Sequence, residues 1–129
     1  MPEDFDLAPE LPEGRNLIQG YRPDGFTIGG RRHTGAVLVL ETAVVAWPVD
    51  AVAEVSIDDL RPVLDADPRP EILILGSGAR FVMAAPALRA GLREHGIALE
   101  CMDSRAACRT FNVLLAEDRR VAAALLPTG

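Results

Sequence analysis

Apolar positions in the first part of the chain come in short runs punctuated by turn residues. Leu17-Ile18-Gln19-Gly20-Tyr21 and Phe26-Thr27-Ile28 flank Arg22-Pro23-Asp24-Gly25. Proline fixes φ and glycine takes positive φ freely, so this segment predicts strand, tight turn, strand, with Gly29-Gly30 ending the hairpin. Two further runs rich in β-branched residues, Ala36–Leu40 and Ala43–Trp47, are separated only by Glu41-Thr42 and predict a second hairpin.

Beyond Trp47 the period changes. Ile57, Leu60, Val63 and Leu64 recur at spacings of three and four, with Ser56 placed to cap and Asp58 and Asp59 where a helix dipole favours acids. The spacing predicts a helix of about three turns over 56–66, stopped by Pro68 and Pro70. Glu71–Leu75 is an apolar run of the kind covered on both faces, and it ends at Gly76-Ser77-Gly78. Pro86 suits the first turn of a second helix reaching about His95, with Leu88 and Leu92 inward and Gly96 as its stop. Ile97–Met102 reads as another buried strand. Asp103 or Ser104 caps a third helix through about Ala116, with Ala107, Phe111, Leu114 and Leu115 inward, and Arg119–Leu126 is a terminal strand, either inside the sheet or on an edge that pairs with another chain. Strands alternating with helices imply a parallel arrangement. The predicted fold is therefore α/β in three layers: a central mixed, mostly parallel sheet of about five strands, helices packed against it, and an appended N-terminal antiparallel β part.

At 129 residues the chain holds one core. The expected organisation is a single domain over residues 15–129 behind a flexible acidic tail over 1–14, where Glu3, Asp4, Asp6, Glu10 and Glu13 meet no base and prolines limit burial. Net charge is −6, every base is arginine, and the tail carries most of the excess. A nearly neutral body has no general attraction for phosphate backbones, so nucleic acid is not an expected partner, and Arg31-Arg32 and Arg119-Arg120 read as solvated edges. No apolar run is long enough to span a bilayer and the N-terminus lacks an export pattern, which predicts a cytoplasmic protein without membrane insertion. Cys101 and Cys108 form no zinc-like cluster, and His33 and His95 have no local ligand or nucleophile partner, so no metal and no cofactor are expected.

One loop invites a chemical reading. Gly76, Ser77, Gly78, Ala79 and Arg80 follow an inner strand, where open α/β sheets place ligands, and Glu100 ends the next strand. A glycine turn with an acid some twenty residues on is the outline of a dinucleotide site, but Phe81 stands where the third glycine belongs and the helix opens only near Ala85-Pro86. What remains is either a close-packing turn or a small anion pocket made by the amides of Ser77, Gly78 and Ala79 with Arg80. Asp103, Thr110 and Asn112 are polar positions on or before the third helix. Asp103 reads as a cap and Thr110 as hydrogen-bonded to a neighbouring loop, and Asp103, Thr110 and Asn112 join Glu100 and the loop as candidate ligand-binding positions. Trp47, before Pro48, is either core or an interface anchor.

Several segments together resemble a family of small uncharacterised α/β domain proteins, to which mitochondrial complex I assembly factor 3 and an adipogenesis-associated protein are similar. They are Ile18–Tyr21 with Gly25–Gly30, Leu75–Gly78, Glu100–Asp103, Ala106–Leu114 and Glu117–Leu125, and the resemblance spans about residues 16–127. It implies three layers around a mixed five-stranded sheet and carries no catalytic residue. With no catalytic constellation in view, the expectation is a non-enzymatic protein-interaction or assembly factor with protein partners, self-association included. The alternative is a binder of a small anion or ligand, even a weak enzyme, at residues 76–80. An open polar pocket at that loop favours the alternative; an exposed apolar patch near Trp47 or the last strand favours the interaction module.

Overall fold

A computed structural model describes residues 16–129 together with Phe5–Asp6. The acidic segment expected to be a tail lies outside the described residues, apart from Phe5–Asp6, which forms the two-residue strand β1. Strands β2 (Ile18–Arg22), β3 (Gly25–Ile28) and β4 (Arg31–Thr34) complete a four-stranded antiparallel sheet in the order β1-β2-β3-β4. β4 was not expected. Gly29 and Gly30 take φ of 58° and 85°, and instead of ending the sheet they turn the chain into it. β4 is polar and largely exposed, so it carries no hydrophobic alternation to read.

The second sheet has the order β6-β5-β9-β7-β8, from β5 (Val37–Val39), β6 (Val44–Ala46), β7 (Ile72–Gly76), β8 (Ala98–Met102) and β9 (Val121–Leu125). β7 pairs in parallel with both β8 and β9, while β5 joins β6 and β9 antiparallel, giving a mixed sheet. β9 is the middle strand, buried at every position, so the edge alternative for the terminal strand does not hold. β8 takes the edge instead and exposes Ala98 and Glu100, correcting its reading as a strand buried throughout.

Side chains sort by a period of two into two cores. Leu38, Leu73, Leu75, Ala122 and Ala124 face one side, under α1 (Arg61–Leu64) and α2 (Pro86–Glu94) with Leu88 and Leu92 inward. Val37, Val39, Ile74, Ala123 and Leu125 face the other, against α3 (Ser104–Ala116) and the strand pair β2–β3. The expected long first helix is shorter. Ile57–Leu60 is a 3-10 turn closed by a Ser56–Asp59 capping box, and α1 restarts after it. Pro62 supplies the reason: in one continuous helix its missing N–H would be owed to the Asp58 carbonyl, whereas in a helix that begins at Arg61 it falls in the first turn, where no donor is needed.

Candidate functional site

The glycine loop lies where the alternation placed it, at the carboxyl ends of the parallel strands, and its polar groups are spent on the chain itself. Ser77 N donates to Met102 O (2.9 Å) and Gly78 N to Ser104 Oγ (2.8 Å). Ser104 Oγ in turn donates to Leu126 O, and Ser104 N to Gly78 O (2.9 Å). Ser77 Oγ accepts from Val82 N (3.0 Å) and shares its proton between Arg80 O (2.6 Å) and Met102 O (3.2 Å). Three strand ends are thereby sewn together. Gly76 is glycine because a Cβ there would stand 2.9 Å from both Ser104 Oγ and Leu125 Cδ2, and Gly78 holds φ of +100°, a conformation other residues rarely adopt.

An amide cradle for an anion needs donors that point outward, and two of the three expected amides, those of Ser77 and Gly78, point at protein acceptors. The close-packing turn therefore describes the loop. Arg80 is exposed, and Ala79 lines a neighbouring groove. Neither serine hydroxyl is placed as a nucleophile, since each is committed to backbone partners.

The other expected site residues disperse. Asp103 caps α3, its carboxylate accepting from Ala106 N (3.0 Å). Glu100 is exposed on β8, two positions before the residue that pairs with Gly76, and does not converge on the loop. Asn112 is 8% exposed and holds both backbone groups of Ile18: its Oδ1 accepts from Ile18 N (2.9 Å) and its Nδ2 donates to Ile18 O (2.8 Å). It rivets the N-terminal sheet to α3. Thr110 is half-buried on α3 and makes no side-chain hydrogen bond among the described residues, so the expected bond to a neighbouring loop is not formed. Trp47 is 3% exposed and donates Nε1–H to Asp59 O (3.1 Å), which makes it core and leaves no ring surface for an interface. Cys108 lies on the buried face of α3, and that burial pushes its thiol up to about 12, with Arg109 opposing the shift and Asp103 adding to it. No group of three potential metal-ligating side chains occurs among the described residues.

The exposed apolar surface lies elsewhere. Phe81, Val82 and Met83, immediately after the loop, are 55, 44 and 62% exposed. Val82 also lines a groove of about 500 Å3, whose walls include Ala36, Ala51, Ala53, Gly78 and Ala79. This is an open cavity at the glycine loop of the kind the ligand-binding alternative called for, built mainly from small residues and mixing polar with apolar surface. The apolar patch is present as well, displaced from both places where it was expected. The sequence signal was Phe81-Val82-Met83 itself, three apolar residues between a glycine turn and a helix-opening proline that belong to no periodic element.

The family model described as "Protein of unknown function (DUF498/DUF598)" matches residues 18–126. The chain belongs to this family. Within and around the DUF498/DUF598 region it is 38% identical over 111 residues to NADH dehydrogenase [ubiquinone] 1 alpha subcomplex assembly factor 3 of Danio rerio, covering 86% of this chain and 64% of that protein. An uncharacterised protein of Rhodobacter capsulatus is 35% identical, with 94% of each chain covered. The chain thus spans about three-fifths of the zebrafish relative and nearly the whole of the bacterial one. A crystal structure of a Bordetella parapertussis protein superposes with a TM-score of 0.80 at 34% identity, covering 90% of this chain and 99% of that one. The fold implied by the resemblance is therefore that of the DUF498/DUF598 proteins. Among the described residues, no helix is long and apolar enough to cross a membrane.

Proposed function

We propose that the protein is an accessory factor that acts by contact with other proteins, assisting the assembly of a respiratory NADH dehydrogenase, and that Phe81–Met83 is where it touches its partner. The observation that carries this reading is the run of three consecutive apolar side chains held in water at the carboxyl ends of the strands. Single exposed apolar residues are ordinary, but a contiguous group beside an open groove marks a contact surface. The relatives that carry an assembly-factor name supply the direction, and the partner is then a subunit or subcomplex of that enzyme. The hydrogen-bonded seam beneath the loop gives it a firm base, so a partner meets a surface already shaped.

Affinity capture of the tagged chain, compared with Phe81→Ser/Met83→Ser, tests the proposal. The wild type should retain NADH dehydrogenase subunits and the double variant should lose them, with thermal unfolding of the two within about 0.5 kcal/mol because both side chains are exposed. Equal recovery by both forms would remove the loop from the contact.

A further inference from the structure

Strand β8 is an edge of the mixed sheet, and one side chain lies across it. Ala98 N donates to Glu71 O and Met102 O accepts from Ser77 N, both at 2.9 Å, so the even-numbered residues of β8 turn their backbone groups toward β7. Backbone groups alternate along a strand, which aims those of Leu99 and Cys101 outward, where the order β6-β5-β9-β7-β8 leaves no neighbouring strand. From α2, Arg89 closes over that edge: its Nη1 donates to Leu99 O, its Nη2 stands 4.0 Å from Cys101 Sγ, and Leu99 is 2% exposed. A groove of about 570 Å3 opens along the same edge, lined by residues 96–100 together with Glu71, Arg89 and Arg93. Glu71 is paired with Arg119 (3.4 Å), and Glu100 shares the face of Ile74, on the side of α3, whereas Leu99 and Cys101 face the side of α2. Neither Arg89 nor Arg93 has an ion pair among the described residues, so the α2 side of the groove holds two uncompensated positive charges in a chain of net charge −6.

We propose that this groove takes an extended, acidic segment of a partner protein as a further strand beside β8. Main-chain bonds to Leu99 and Cys101 supply the affinity, and alternate side chains of the incoming segment supply the selection. A neutral strand meets an edge already covered. A carboxylate arriving on the α2 side offers Arg89 a bidentate bond to an opposite charge, stronger than its bond to a neutral carbonyl, so Arg89 turns to the carboxylate and Leu99 O is freed for the incoming N–H. Arg93, in the same groove, receives a second acid. The acids fit at alternate positions only, because the residues between them meet Ala98 and Glu100, where another negative charge is repelled. None of Phe81–Met83 lines this groove, and the proposal does not depend on that contact.

Amide NMR of the isotope-labelled full chain tests the proposal, with a short end-blocked peptide alternating threonine and glutamate titrated beside its glutamine counterpart. The glutamate peptide should bind with a Kd of about 1 mM or tighter, and the glutamine peptide about tenfold more weakly. On binding, the amides of Leu99 and Cys101 should shift and exchange more slowly with solvent, because they become ladder donors. Arg93→Ala changes an exposed residue and should weaken the glutamate peptide about threefold while leaving the glutamine peptide as it was. Arg89→Ala removes the cover together with its charge, so it should weaken the glutamate peptide but tighten the glutamine peptide by about threefold, an outcome that a simple charge contact does not give. Circular dichroism of both variants should match the wild type. Equal affinity of the two peptides for the wild type, shifts that leave the Leu99 and Cys101 amides unmoved, or a glutamine peptide no tighter on Arg89→Ala would overturn the proposal. So would failure of the glutamate peptide to bind, including the case where sedimentation equilibrium shows a second copy of the chain holding the edge.

Discussion

Asn112 shows how a polar residue in a helix serves the fold. Its amide satisfies both backbone groups of Ile18, 94 positions away, in a setting that leaves it 8% exposed. Asn112→Ala leaves a buried N–H and a buried C=O without partners, and at 1–3 kcal/mol for each such group the protein should lose roughly 2–4 kcal/mol in urea unfolding. A loss under about 0.5 kcal/mol would mean that water replaces the amide at little cost. The two cysteines make a second contrast. Cys101 is half-buried on the edge strand, while Cys108 is buried and its thiol is pushed up to about 12. Because the thiolate is the reactive form, iodoacetamide at pH 8 should modify Cys101 in the native protein and reach Cys108 only on unfolding. Peptide mapping after timed alkylation reads this directly, and early labelling of Cys108 would show that α3 lifts from the sheet.

Where an element buries a periodic face, the sequence announced it: α2 with Leu88 and Leu92, α3 with Ala107, Phe111 and Leu115, and the continuous run of β7 all stand where their spacing placed them. β4 escaped because an exposed, polar edge strand has no apolar period, and the α1 region was overextended because the spacing of Ile57, Leu60 and Val63 also fits a 3-10 turn followed by one helical turn. Which strand lies at the edge was not legible either. Val121–Leu125 and Ala98–Met102 are both short and largely apolar, and only the order β9-β7-β8 decides that the first is enclosed and the second open on one side. The glycine loop was legible in position but not in role. Its outline suggested a cradle for phosphate, and what decided otherwise is Ser104, 26 residues after Gly78, whose hydroxyl takes the amide an anion would have needed. Phe81–Met83 is not legible as a surface because apolar residues outside a periodic element look like connecting chain until their exposure is known.

The chain as a whole joins a mixed sheet, covered on both faces, to a near-neutral body with an acidic N-terminal segment, net charge −6 in all. Both cores close around the sheet, so on the proposed reading Phe81–Met83 would meet a partner without repacking the interior. The most direct test of that role is the amount of fully assembled NADH dehydrogenase in host cells lacking this chain, measured by native gel and in-gel NADH oxidation. The account predicts a clear fall, restored by the wild-type chain and not by Phe81→Ser/Met83→Ser expressed at the same level. Assembled enzyme at the normal level in its absence, or full restoration by the loop variant, would contradict it.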